Sequence, residues 1–185
     1  MALLLASDYI QADVVIFATG FEIRNCLPQF CLQGRNGDLL SSPDVWGKQP
    51  RAYLGISTPG FPNCFFLYGP NTNTILGSIT FFIECACSYI VQALAHMKKI
   101  ELDGTCNSCI EVKQDAVDEY YRCVVEKHFQ GRPETDTCSS WYKKQDGNES
   151  NLSPTNFPGI QTYYWWLTRK FDHLKYAIYS DDTVE

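Results

Sequence analysis

The longest regular pattern of apolar positions lies between residues 79 and 97. Apolar side chains recur there at i, i+3, i+4 and i+7 spacing, which is typical of an amphipathic α-helix. Ser78 precedes the pattern as a candidate N-cap, and Lys98 and Lys99 suit the negative end of the helix dipole. The spacing therefore predicts a long helix that begins directly after Ser78. A second, shorter pattern predicts a helix over residues 116–129.

Two short runs without polar interruption predict buried strands. The first is Val14–Phe17, which is rich in β-branched residues and is closed by Gly20. The second is Cys64–Tyr68, which leads into the polar turn 69–74 and then into the long helix. Both runs are too tightly bounded for a helix. The chain thus holds two units in which an apolar strand ends in a glycine-containing turn.

The remaining segments give weaker signals. Residues 1–17 predict a hairpin, and residues 109–112 a short strand. The aromatic run Tyr163–Leu167 fits either a strand or a helix. Residues 24–62 and 130–160 are rich in proline and glycine and predict long loops, and short extended pieces such as Tyr53–Ile56 lie inside the first. The tail from Asp181 is acidic.

Composition excludes several classes of function. Of the 185 residues, 45% are hydrophobic, which is enough for a core, and 15 basic against 21 acidic residues give a net charge of -6. Basic clusters do not extend beyond Lys98–Lys99 and Lys143–Lys144, so nucleic-acid binding is disfavoured. We expect no transmembrane segment and no secretory signal. The nine cysteines then indicate free thiols in a reducing compartment, which predicts a cytoplasmic protein.

The cysteines and histidines do not form a recognisable reactive motif. Cys106 and Cys109 form a CxxC pair, but no second pair and no HxxxH spacing accompany it, as a structural zinc site would require. Cys85 and Cys87 fall inside the predicted helix, where side chains two positions apart point in different directions. No Ser-His-Asp arrangement can be placed. We therefore assign no catalytic residue and no metal ligand.

The two strand-turn units carry the chemistry that the sequence does offer. The small turn Ala18-Thr19-Gly20 allows the backbone to approach another segment or a cofactor closely. The turn Gly69-Pro70-Asn71-Thr72 precedes a helix N-terminus, where free N–H groups and the positive end of the dipole favour a phosphate or a developing negative charge. An ordinary strand-turn-helix joint is the alternative interpretation of each unit.

Taken together and in order, these segments closely resemble the C-terminal part of flavin-dependent monooxygenases. The nearest branch is that of the Baeyer–Villiger monooxygenases, relatives of cyclohexanone and 4-hydroxyacetophenone monooxygenases. The similarity runs over about residues 8–165 and rests on the order of its motifs, which is far more specific than any one of them. The matching segments are 13–21, 61–73, 83–84 and 89–90, extended by Trp46, 51–55, 138–142 and 157–159.

The resemblance implies an α/β fold, namely an incomplete FAD/NAD(P)-binding, Rossmann-like fold with long loops. It places the end of a nucleotide-binding domain and an inter-domain turn in residues 1–22. The C-terminal part of the FAD-binding domain then occupies residues 23–130, and a C-terminal loop region with the tail occupies 131–185. No G-x-G-x-x-G fingerprint occurs anywhere in the chain, although the family uses one for FAD and another for NADPH.

The resemblance also implies cofactors and their contacts. Full-length members bind FAD and NADPH, capture O2 on reduced flavin as a C4a-peroxide, and oxygenate a ketone or a soft heteroatom of a small organic substrate. Trp141 would lie in the mobile loop that closes over NADPH. The other implied cofactor-binding residues are Ala18, Thr19 and Gly20 between the nucleotide domains, and Gly69, Pro70, Asn71, Thr72 and Ser78 facing the flavin.

Because the phosphate-binding fingerprints are missing, we expect this chain alone to be inactive, neither binding FAD tightly nor oxidising NADPH. The alternative hypothesis is a non-catalytic remnant that acts as a protein-interaction domain. We also expect apolar surface around Cys64–Tyr68 and around Ile79, Phe82 and Ile83 to be exposed, which favours self-association.

Overall fold

The computed structural model describes residues 2–5, 8–11, 13–18, 31–47, 50–74, 77–102, 108–126 and 156–180. Strands β1 (Ala2–Leu5) and β2 (Asp8–Gln11) form an antiparallel hairpin. Helix α1 (Ile79–Leu102) is followed by β3 (Ser108–Val112) and by α2 (Gln114–Tyr120), which continues as π-helical turns over Tyr121–Glu126. Helix α3 (Gln161–Thr168) and a 3-10 turn lead to β4 (Tyr176–Ser180), which pairs antiparallel with β3.

Helix α1 confirms the strongest sequence prediction. The Ser78 hydroxyl accepts a hydrogen bond from the backbone N–H of Phe81 at 3.3 Å, so Ser78 is the N-cap. One row of the helix is buried, and it consists of Phe82, Cys85, Ala86, Tyr89, Ala93 and Met97. Between Ile79 and Glu101 this helix is also long and apolar enough to cross a membrane, which the sequence analysis did not expect. Its buried row, however, packs into the core of the protein.

The main core joins segments that lie before and after residues 127–155, which are outside the described residues. Helices α1 and α3 lie side by side, with the side chain of Gln92 bridging to the turn after α3. Its Oε1 accepts from the N–H of Phe171 at 3.0 Å, and its Nε2 donates to the carbonyl of Arg169 at 3.4 Å. The ring of Phe82 stacks on Tyr164 at 4.5 Å between ring centroids. A smaller cluster forms around Leu40, Trp46, Ala52 and Phe61.

Two predicted strands are wrong. Val14–Phe17 has no strand structure, and Val14, Ile16 and Phe17 are 76%, 84% and 80% exposed. Cys64–Tyr68 is also irregular, and Leu67 and Tyr68 are exposed. The physical reason is that an apolar run becomes a buried strand only when neighbouring strands pair with it. Among the described residues, the four strands pair only within β1–β2 and β3–β4.

Of the remaining predictions from the sequence, some are confirmed and one is wrong. Tyr53–Ile56 is a tight turn and not an extended piece, with Leu54 and Gly55 at φ 55° and 70°. Residues 163–167 are helical, and β3 and α2 confirm the strand and helix predicted there. Cys85 is buried and Cys87 is exposed, as expected for side chains two positions apart on a helix, and only Cys85 is a packing position. The described residues do not include Cys106, residues 127–155 or the tail from Asp181. Within the described part of the chain, no group of three metal-ligating side chains occurs.

Candidate functional site

The predicted turn 69–74 is a loop with internal hydrogen bonds that leads toward helix α1. Tyr68 and Asn71 both adopt left-handed backbone conformations, with φ of 62° and 58°. The Thr72 hydroxyl donates a hydrogen bond to the carbonyl of Gly69 at 2.7 Å. Pro70, Asn71 and Thr72 are all buried. Their side chains therefore fix the shape of the turn from within.

A pair of glycines lets this turn pack directly on the turn around Gly55. A Cβ on Gly55 would lie 2.1 Å from Thr72 Cγ2 and 2.7 Å from the Pro70 carbonyl oxygen. A Cβ on Gly69 would lie 2.3 Å from the Gly55 carbonyl oxygen. Real side chains do not approach so closely. Gly55 also needs a residue that tolerates its positive φ of 70°.

Asn71 points into the protein, where a tyrosine holds it. The Tyr121 hydroxyl lies 2.6 Å from Asn71 Oδ1 and 3.0 Å from the Pro50 carbonyl oxygen. The amide nitrogen of Asn71 donates to the Asn156 carbonyl at 3.5 Å. Buried polar groups are costly unless they are paired in this way.

Asn73 continues this network at the end of the turn. Its Nδ2 donates to Asn156 Oδ1 at 2.8 Å, and its carbonyl accepts from the N–H of Phe157 at 2.7 Å. Its Oδ1 accepts from the Tyr68 hydroxyl at 2.6 Å. Asn156 and Phe157 thus fasten the turn at Asn71 and Asn73.

The N-terminus of α1 brings the positive end of a helix dipole close to the turn in the sequence. Ser78, Ile79 and Thr80 are exposed, so the positive end of the helix dipole opens to solvent. The backbone N–H of Ser78, however, donates to Gln161 Oε1 at 3.2 Å. A neutral amide from α3 therefore already occupies one of the donors that the sequence predicted to be free.

The surroundings of the turn are largely aromatic, and their charged groups include the Arg51 guanidinium, 4.9 Å from the centre of the Tyr121 ring. The Tyr164 hydroxyl donates to the Leu54 carbonyl at 2.9 Å, and the hydroxyls of Tyr176 and Ser57 are 2.8 Å apart. Burial raises the pKa of Tyr176 to about 12 and also raises the pKa of Tyr164. These phenols stay protonated at neutral pH. They therefore support the turn as uncharged hydrogen-bonding groups.

The predicted site residues fall into two groups. Gly69, Pro70, Asn71 and Thr72 form one turn, and Ser78 caps the helix that follows. Ala18 is exposed, whereas Thr19, Gly20 and Trp141 lie outside the described residues. Sequence reasoning missed the residues that hold the turn in place, namely Gly55, Tyr121, Asn156 and Gln161. Gly55 falls within the matched segment 51–55, and Asn156 directly precedes the matched segment 157–159.

No family model matches the chain, but individual proteins do. It is 36% identical over 169 residues to a Baeyer–Villiger monooxygenase of Pseudomonas aeruginosa, a match covering 91% of this chain and 30% of that protein. It is 34% identical over 152 residues to an FAD-binding monooxygenase of Aspergillus niger, covering 80% of this chain and 24% of that protein. The chain thus spans less than a third of the length of these relatives.

Solved structures show the same fold. A Rhodococcus cyclohexanone monooxygenase mutant bound to NADP+ superposes with a TM-score of 0.67 at 22% identity, over 94% of this chain and 30% of that one. A steroid monooxygenase bound to NADP gives 0.59 at 22% identity, over 81% and 26%. The chain is therefore a partial α/β fold of the FAD- and NADP-binding type. It is a relative of the Baeyer–Villiger-type, FAD-binding monooxygenases and corresponds to their C-terminal portion.

Proposed function

We propose that this chain supplies a flavin-facing portion of a flavin-dependent monooxygenase. The parent activity is the NADPH- and O2-dependent oxygenation of a ketone or a soft heteroatom in a small organic substrate. The observation that carries the proposal is the hydrogen-bonded turn 69–74 leading to the solvent-open N-terminus of α1. Sequence similarity to monooxygenases over 91% of the chain supports it.

The described residues fit a flavin contact of limited extent. FAD, when bound, supplies the oxygen-activating chemistry. The exposed first turn of α1 offers backbone N–H groups and the positive dipole end, which stabilise negative charge placed there. Asn71 and Thr72 face inward, so their part is to hold the backbone of the turn. Ser78 keeps the helix start in register through its cap.

The other cofactor contacts are proposed from the resemblance. Ala18, Thr19 and Gly20 would lie between the nucleotide domains, and Trp141 would close over NADPH. The proposed domain division remains 1–22, 23–130 and 131–185, and we place the protein in the cytoplasm. Because no G-x-G-x-x-G is present, the chain alone lacks a cradle for the FAD pyrophosphate. We therefore propose that it neither binds FAD tightly nor oxidises NADPH by itself.

A chimera tests this proposal. The chain replaces the equivalent C-terminal portion of the Pseudomonas aeruginosa relative, which keeps its own N-terminal remainder. We expect the chimera to retain FAD and to oxidise NADPH faster when a cyclic ketone is present. A Gly69→Ala chimera is the matched control, since its Cβ would displace the turn. A chimera that folds but never retains flavin would contradict the proposal.

A second candidate function is that of a non-catalytic interaction domain. The specific observation in its favour is the exposure of Val14, Ile16 and Phe17 in one short segment, since contiguous exposed apolar surface marks contact sites. The chimera separates the two candidates, because the chain alone is expected to be colourless under both. Flavin retained by the chimera supports the flavin-facing portion, whereas a folded chimera that stays colourless and binds no flavin on titration supports the interaction domain.

A further inference from the structure

The solvent side of helix α1 is unusually poor in charge over its central turns. Its exposed residues recur at intervals of three and four, as in the seam of a two-helix contact. Val91 and Leu94 are 63% and 48% exposed. We call this surface the outer face of α1; it consists of Glu84, Cys87, Ser88, Val91, Leu94, Ala95 and Lys98.

The two charged residues of the outer face are placed symmetrically about its centre. Glu84 lies seven positions before Val91, and Lys98 lies seven positions after it. At 1.5 Å per residue, about 21 Å of helix separates the two charges. Neither side chain takes part in the ion pairs among the described residues. Two opposite charges thus flank an apolar stripe at equal distances.

We propose that the outer face of α1 is the interface of a two-fold symmetric dimer in which two copies of this helix pack antiparallel. Val91 then meets the partner's Val91 at the axis, and each Glu84 faces the partner's Lys98. A parallel pairing would instead place like charges opposite each other. The small side chains of Cys87, Ser88 and Ala95 allow the two backbones to approach closely.

The size of the surface sets the strength of the association. One face of a single helix buries less than the roughly 1,200–2,000 Å² of a standard stable interface. The dimer is therefore weak and dissociates on dilution. The same face could instead contact the remainder of a longer monooxygenase polypeptide, but such a contact gives no reason for charges arranged symmetrically about Val91.

Charge exchange tests the proposal through sedimentation velocity over a range of concentrations. Glu84→Lys and Lys98→Glu each turn two attractive pairs into two repulsive ones, so each variant alone should dimerise about 5–30-fold more weakly. Mixing the two variants restores opposite charges at both ends, as does the double variant in one chain. Restoration in the mixture cannot arise from misfolded single variants. A monomer at every concentration, or no restoration on mixing, overturns the proposal.

Cross-linking tests the position of the axis. In a background in which the cysteines other than the buried Cys85 are replaced by serine, Val91→Cys places two thiols at the proposed axis, where Cβ atoms about 4 Å apart form a disulfide. We expect a covalent dimer under mild oxidation. Lys99→Cys in the same background is the control, because this exposed residue lies off the outer face. Equal dimer yields from both variants would overturn the placement of the two-fold axis at Val91.

Discussion

Replacing Gly55 with alanine measures the contact between the two turns at the candidate site. The new Cβ would lie 2.1 Å from Thr72 Cγ2 and 2.7 Å from the Pro70 carbonyl oxygen. Relieving such an overlap costs about 1–3 kcal/mol. The positive φ of 70° adds about 1–2 kcal/mol for a residue with a Cβ. We therefore expect Gly55→Ala to destabilise the protein by about 2–5 kcal/mol.

Gly60→Ala is the matched control. Gly60 has a similar φ of 83°, but a Cβ there would meet nothing within 4 Å, so only the backbone cost of about 1–2 kcal/mol applies. In thermal unfolding, the Tm of Gly55→Ala should fall about 2–12 °C below that of Gly60→Ala. Thr72→Ser removes the overlapping methyl and should recover part of the loss. Equal Tm values for the two alanine variants would refute the close packing of these turns.

Three further predictions concern the supports of the site. Tyr121→Phe removes the donor to buried Asn71 and should cost about 1–3 kcal/mol in urea unfolding, whereas Tyr68→Phe, at an exposed phenol, should cost less than about 1 kcal/mol. Ser78→Ala should lower stability by about 1 kcal/mol through the lost helix cap, and Ser78→Asp should not; equal losses would argue against capping. Burial raises the pKa of five tyrosines above 10.0, namely Tyr53, Tyr89, Tyr120, Tyr164 and Tyr176. The stability that depends on their neutral form should therefore be complete below pH 10 and fall as pH rises above it. Tyrosinate absorbance of the folded protein should appear at higher pH than that of free tyrosine, and titration of these tyrosines at the ordinary pH would contradict the prediction.

The sequence predicts most reliably where local signals are long and repeated. Helix α1 combines several turns of apolar spacing with a cap at Ser78, and both appear in the structure. For Val14–Phe17 and Cys64–Tyr68, by contrast, the prediction rests only on their apolar composition. A short apolar run forms a strand only if another segment pairs with it, and nothing in the run itself shows whether such a segment is present. The described part of this chain places no strand beside either run.

The site shows the same division between local and distant information. The sequence locates the turn 69–72 and its helix, because the glycine-containing polar turn is followed closely by the apolar spacing of the helix. The groups that hold the turn come from far away: Tyr121 lies 50 residues from Asn71, and Asn156 lies 83 residues from Asn73. Such pairings follow from the tertiary fold, and a single sequence does not display them. Gln161 of α3, which accepts a hydrogen bond from the N–H of Ser78 before α1, was missed for the same reason.

The most direct test of the central claim is the flavin midpoint potential of the chimera with a charge introduced at position 78. Aspartate caps a helix as well as serine does, so Ser78→Asp changes charge with little change in structure, and Ser78→Asn is the neutral control. If the N-terminus of α1 faces the flavin, the aspartate destabilises the reduced, negatively charged cofactor and lowers the potential relative to both serine and asparagine. Identical potentials in all three chimeras would contradict the placement of this turn and helix beside the flavin.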